Sequence, residues 1–175
     1  MNLENKISSR KSLRLKGFDY NTPGAYFITF CTQKRKQILS HIVGAIHESP
    51  ELQLTPYGVI VDSVIQNIPE HLHVTIERYI IMPNHIHLIA VITEEDMLCE
   101  IRESPQQARS IISKLIGYIK MNASKSIRQS YGKISVWQRG YYDHVVRDQY
   151  DYEVLAEYIQ ENPLRWELDR FYSEE

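Results

Sequence analysis

An α+β fold, antiparallel strands with helices packed beside them, is predicted by three observations. Apolar runs of strand length stand at residues 24–32, 74–82 and 85–92. Apolar residues at helical spacing occupy 56–67, 104–129 and 148–162. The strands come in pairs instead of alternating strictly with helices. Length and composition agree: 175 residues with 43% hydrophobic and 24% charged side chains suit one domain over 1–175, with enough apolar material for a core.

Residues 1–21 are a basic arm carrying Lys6, Arg10, Lys11, Arg14 and Lys16. The first 40 residues hold 8 Lys/Arg against 2 Asp/Glu, so they carry +6 within a formal net charge of −2. That balance excludes a uniformly basic coat for nucleic acid but allows a local basic face. The arm has no apolar stretch of the secretory type, and no run approaches the roughly 18 consecutive apolar residues of a membrane span. With only Cys31 and Cys99, a disulfide framework is excluded, and a reducing, cytoplasmic setting is expected.

After the turn at Asn21-Thr22-Pro23, residues 24–32 are β-branched and aromatic, a buried strand. Lys34-Arg35-Lys36 follows as a second basic knot, and 38–54 is a short hairpin broken near Gly44 and Ser49-Pro50. Pro56 opens a helix whose apolar positions are Val59, Ile60, Val64 and Ile68. Residues 74–82 and 85–92 pair as antiparallel strands about Pro83-Asn84, and 94–102 is an acidic loop. Ser104-Pro105 starts a long helix with an apolar stripe of Ile111, Ile112, Leu115, Ile119 and Met121. Residues 133–142 are loop or short strand, and 148–162 is a last helix ended by Asn162-Pro163. This order fits a ferredoxin-like antiparallel sheet with helices on one side, plus the N-terminal arm and the C-terminal helix.

His85 and His87 are the most informative pair. Strand side chains alternate, so the two imidazoles share a face while Ile86, Leu88 and Ala90 take the other. That spacing is one of the few by which a single strand supplies two metal ligands. Two half-exposed histidines bonded to neighbours are the alternative, although polar groups on an otherwise apolar strand need a reason. His41, His47, His71 and His73 lie in loops or hairpin ends, and His144 follows Tyr141-Tyr142-Asp143. Twelve tyrosines serve packing, base stacking or nucleophilic chemistry. Tyr158 and Asn162, four apart, share a face of the last helix.

The block Pro83-Asn84-His85-Ile86-His87 resembles the histidine–hydrophobic–histidine signature of the HUH single-strand endonucleases. The stretch from Trp137 to Arg147 and the later Tyr158-Ile159-x-x-Asn162-Pro163 resemble the single-tyrosine insertion-sequence transposases, and the Asn-Pro ending resembles their REP-associated branch. Arg14-Leu15-Lys16-Gly17-Phe18-Asp19-Tyr20 is similar to members of that group, so the resemblance runs in order from Arg10 to about Trp166.

The resemblance implies a transposase: a single-stranded DNA endonuclease and strand transferase with Tyr158 as nucleophile, Tyr141 and Tyr142 being its rivals. It implies a divalent ion, Mg²⁺ or Mn²⁺, held by His85, His87 and Asn162. Attack by Tyr158 leaves a 5′-phosphotyrosine link and a free 3′-OH. The partner implied is single-stranded, hairpin-forming DNA, and the resemblance leaves open a homodimer that exchanges the tyrosine helix or a monomer in which Tyr158 acts in cis. Arg10, Lys11, Arg14 and Lys16 form a basic track that Lys114, Lys120 and Lys125 extend, while Arg139 and Arg147 flank the aromatic block. The acidic ending, with Glu167, Asp169, Glu174 and Glu175, departs from longer relatives. A domesticated, non-catalytic single-strand binder on the same fold is the alternative, and an RNA-binding sheet the more distant one.

Overall fold

A four-stranded antiparallel sheet with helices on both faces places the histidine strand centrally. The computed structural model describes residues 22–44, 51–103 and 109–172. The basic arm, and with it Arg10, Lys11, Arg14 and Lys16, lies outside the described residues, as do residues 45–50, 104–108 and 173–175, the last including Glu174 and Glu175. In chain order the elements are β1 (Gly24–Cys31), β2 (Ser40–Val43), β3 (Glu51–Leu54), α1 (Pro56–Gln66), β4 (Thr75–Ile81) and β5 (His85–Ile92). Then come α2 (Glu94–Glu103), α3 (Ile111–Tyr131), β6 (Tyr142–Val145), α4 (Gln149–Glu161) and a 3₁₀ turn over Asn162–Leu168. The main sheet has the order β4-β5-β1-β6, and β2 and β3 form a separate hairpin. The first and third of the four main strands are therefore central, the expected ferredoxin-like order.

Register decides which residues meet. β1 runs antiparallel to β5 with Ile28 opposite Leu88, Thr29 opposite His87 and Cys31 opposite His85. One face thus carries Tyr26, Ile28 and Phe30 with Ile86, Leu88 and Ala90, all fully buried in a cluster with apolar residues of α1 and α3. Each such side chain contributes about 1.5–3 kcal/mol by leaving water. The other face carries Phe27 and Ile89, on which Ala156 and Ile159 of α4 pack. So α4 takes the face opposite α1 and α3, the face of His85 and His87.

Local signals explain the helix ends. Thr55 caps α1, its Oγ1 accepting from the Gly58 amide at 3.1 Å. Gly58 has to be glycine, because a Cβ there would lie 2.0 Å from the Leu39 carbonyl oxygen. Asp148 caps α4 by accepting from the Asp151 amide at 2.8 Å. Tyr152 then donates to Glu77 Oε2 at 2.6 Å, pinning α4 to β4.

Four expectations are corrected. Residues 94–102 are helical, not loop: the Asp96 amide donates to Thr93 Oγ1 at 3.1 Å and Thr93 N–H to Asp96 Oδ2 at 2.8 Å. That reciprocal cap, with three acids in the first turn, suits a helix N-terminus. The long helix starts at Ile111, capped by Ser110, whose Oγ accepts from the Ser113 amide at 3.3 Å. Met121 is 64% exposed, and the buried stripe of α3 runs instead through Ile116, Ala123 and Ile127 beside Ile111, Ile112, Leu115 and Ile119. Finally, Val59 is exposed, whereas Ile60, Val64 and Ile68 pack against the core beside Val61 and Ile65, because α1 meets α3 on that side of the helix. Among the described residues, no helix is long and apolar enough to cross a membrane.

Candidate functional site

Period-two geometry delivers His85 and His87 side by side, their Nε2 atoms 2.9 Å apart and both side chains fully buried. Asn84 Oδ1 accepts from His85 Nδ1–H at 2.8 Å while Asn84 Nδ2 donates to the Phe171 carbonyl at 2.8 Å, so His85 presents a lone pair at Nε2. His87 Nδ1 lies 2.7 Å from Thr29 Oγ1, a hydroxyl that serves either tautomer.

Burial is the main force on both rings. It pushes His85 down to about 4, with Arg170 and Arg35 acting in the same direction and Asp169 against it. His87 is lowered further from its ordinary value, by burial and by the charge of His85. Both imidazoles are therefore neutral near pH 7, the form in which they ligate metal. The unfolded chain takes up protons below pH 6.5 that the folded chain refuses, so these histidines cost stability as pH falls from 6.5 towards about 4. We expect Tm, followed by circular dichroism in EDTA, to drop across that window, and a His85→Gln/His87→Gln double variant to show a flatter profile. Parallel profiles would remove the histidines as the cause.

Asn162 closes α4 and is 1% exposed. Its Oδ1 is buried without a hydrogen-bond partner, whereas its Nδ2 donates to Asp169 Oδ2 at 3.0 Å. A buried amide oxygen with no donor among the described residues, on a side chain bonded to Asp169, fits a cation. Asp169 adds a carboxylate: ligand atoms of His85, His87 and Asp169 lie within 4.8 Å of one another.

Tyr158, one turn before Asn162, donates to the same Asp169 Oδ2 at 2.8 Å. Its ring stands 5.1 Å from that of His87 and 6.0 Å from Phe27. Burial first, and the Asp169 carboxylate second, push its hydroxyl up to about 12. Helix α4 thus presents its tyrosine to the histidines of its own chain. A groove of about 530 Å³ opens over Tyr158, Asn162 and Asp169, with Arg165 and Arg170 on its walls. Phe171 and Trp166 close the other sides of His85, at 4.7 and 5.8 Å.

Asp169 is the residue that the sequence did not reveal. It sits in the acidic ending, seven positions beyond Asn162, and only the return of the chain after the 3₁₀ turn brings it to the histidines. Pro163 turns the chain into that 3₁₀ segment. Tyr141 and Tyr142 diverge: the Tyr141 hydroxyl meets Ser113 Oγ at 2.9 Å on the α3 side, and Tyr142, opposite Thr29, lies on the histidine face near Phe171.

The cations are spread out. Lys120 is turned inward, its Nζ donating to the carbonyls of Gln138 at 2.9 Å and Gly140 at 2.6 Å, and burial pulls it down to about 8. Its ammonium fastens the loop on which Arg139 is exposed. Lys114 pairs with buried Glu100. Arg147 is exposed at the start of α4, where its amide donates to Asp151 Oδ2 at 3.0 Å.

Comparison with known proteins places this geometry. A family model described as "Transposase IS200 like" matches residues 23–162. An uncharacterized protein of Haemophilus influenzae is 34% identical over 175 residues, covering 95% of this chain and 94% of its own. A second protein of that organism, provisionally named REP-associated tyrosine transposase, is 26% identical over 157 residues, covering 84% of this chain and 74% of its own. The solved structure of a REP-associated tyrosine transposase bound to a REP hairpin has the same fold, with a TM-score of 0.57 at 18% identity over 87% of this chain and 74% of that one. With four-fifths of its length inside the family model, its sheet in the expected order and one relative similar over nearly its whole length, the chain belongs to the IS200-like transposase family, a family of DNA-processing enzymes.

Proposed function

We propose that the protein is a metal-dependent single-stranded DNA endonuclease and strand transferase that works through a 5′-phosphotyrosine at Tyr158. One observation carries the reading. The Tyr158 hydroxyl and the Asn162 amide both donate to Asp169, whose carboxylate lies within 4.8 Å of the ligand nitrogens of neutral His85 and His87, and Tyr158, Asn162 and Asp169 line one groove. The hairpin-bound structural neighbour supports a nucleic-acid partner of the same kind.

His85, His87, Asn162 and Asp169 would hold the ion, which when bound supplies positive charge against the anionic scissile phosphate. Tyr158 Oη forms the new bond to phosphorus as the P–O3′ bond breaks. Asp169, already accepting the phenol hydrogen bond, is placed to take its proton, and the released 3′-oxygen takes one from solvent. The phosphotyrosine ester keeps the energy of the broken link, so a different 3′-OH can reverse the step and be joined.

The test is incubation with a labelled single-stranded hairpin oligonucleotide and Mn²⁺, followed by denaturing electrophoresis. A covalent protein–DNA band is expected. Binding of the oligonucleotide without any such band would instead mark a non-catalytic binder. Asp169→Ala should lower the adduct yield about 10–100-fold, the usual cost of losing a group that orients reacting and ligating side chains. The same substitution should bring the Tyr158 phenol down from about 12 in an ultraviolet titration, since the carboxylate contributes to that shift.

A further inference from the structure

Two arginines from distant parts of the chain converge on one ring beside the histidines. Arg35 Cζ lies 5.3 Å and Arg170 Cζ 4.6 Å from the centroid of Phe171, whose ring is itself 4.7 Å from that of His85. The two cations are thus within about 10 Å of each other, inside one Debye length at 0.1 M salt, and they repel. Arg35 is held there at a cost: it and Lys34 are consecutive non-glycine residues in the left-handed region, with φ of 56° and 58°. Its Nη1 donates to the Arg170 carbonyl at 3.1 Å, joining the segment after β1 to the segment after the 3₁₀ turn.

The surroundings favour a phosphate. Arg170 is exposed and forms no ion pair among the described residues, its side-chain contacts being the faces of Phe171 and, at 5.7 Å, Tyr142. It lines the groove over Tyr158, in which Arg165 is already neutralised by Glu161 at 2.7 Å, Asp169 is engaged by the Tyr158 hydroxyl and the Asn162 amide, and Glu157 is the other carboxylate. Tyr142, 41% exposed on the same face, offers a ring on which a base can stack. Guanidiniums held on ring faces keep their N–H edges outward, the geometry that recognises phosphate oxygens.

We propose that Arg35 and Arg170 form a clamp for a backbone phosphate of the bound single strand, flanking the scissile one, with Tyr142 stacking the adjoining base. The inference rests on the DNA-processing function proposed above and adds to it the residues that position the strand. A phosphate bound by the two guanidiniums compensates for the strained turn that aims Arg35.

The test is fluorescence anisotropy of the full chain with a labelled hairpin oligonucleotide carrying a single-stranded flank, over a potassium chloride series. Arg35→Ala and Arg170→Ala should each make the dependence of log affinity on log salt shallower by about 0.7, the value of one lost contact on a single strand. Arg78→Ala, an exposed arginine on β4 at the far edge of the sheet, should leave the slope unchanged. Arg170 has no hydrogen-bonded side-chain role in the fold, so its variant keeps the test meaningful even where Arg35→Ala melts early. Wild-type slopes in the Arg170 variant, with binding and adduct formation intact, overturn the clamp alone. An equal loss in Arg78→Ala overturns it too, since the contact is then unspecific. A wild-type protein that binds no DNA overturns the function and the clamp together.

Discussion

Tyr158→Phe should lower the covalent protein–DNA adduct by at least about 10³-fold, the scale of losing a nucleophile. The ring stays against Phe27 and His87, and only the hydroxyl bonded to Asp169 is lost. The expected stability change is about 1 kcal/mol, that of one hydrogen bond. Tyr141→Phe should leave the adduct near wild type, because that hydroxyl is spent on Ser113 of α3. Tyr142→Phe should do the same, because the inferred stacking uses the ring and not the hydroxyl. All three variants belong on one gel with the same labelled hairpin and Mn²⁺. An undiminished adduct in Tyr158→Phe, or its loss in Tyr142→Phe, would reassign the nucleophile.

The second large effect is expected at His87. Mn²⁺ should raise the Tm of the wild-type protein, since an ion that binds only the folded state stabilises it by mass action. His87→Gln keeps an amide for Thr29 in roughly the same volume but removes the imidazole nitrogen facing His85. Its Mn²⁺-induced rise should vanish, and adduct formation should fall by about 10²–10³-fold, corresponding to several kcal/mol of charge stabilisation. His87→Ala should in addition lower the metal-free Tm, because it opens a cavity beside Phe27, Tyr158 and Phe171 and strands the Thr29 and His85 partners. The experiment is a pair of melting curves per variant, with MnCl₂ and with EDTA. An Mn²⁺ shift in His87→Gln equal to that of wild type would remove His87 from the metal site.

Legibility followed the range of the interactions. The strands around 24–32 and 85–92 were readable because β-branched and aromatic residues crowd them, and their pairing follows from the hairpin about Pro83-Asn84. The acidic residues of helix α2 have the composition of a solvated loop, although Thr93 and Asp96 carry a helix-capping signal. The buried stripe of α1 leaves out Val59 and that of α3 leaves out Met121, because any apolar residue fits a helical repeat, whereas the packed core selects one set. Lys120 reads as a surface cation on an amphipathic helix, yet two loop carbonyls draw its ammonium inward. No property of residue 120 announces those carbonyls.

The sequence by itself determined that His85 and His87 share a face and that Tyr158 and Asn162 stand one turn apart. Those are consequences of backbone periods of 2.0 and 3.6, which act within a few residues and need nothing from the rest of the chain. Tertiary structure alone decided that the two pairs meet, through the packing of Ala156 and Ile159 on Phe27 and Ile89. It alone brought in Asp169, and set Arg35 and Arg170 about one ring. Such contacts join segments up to 135 residues apart, as the bond from Arg35 to Arg170 does. They depend on how burial of the whole core routes the chain, and no local repeat records that route.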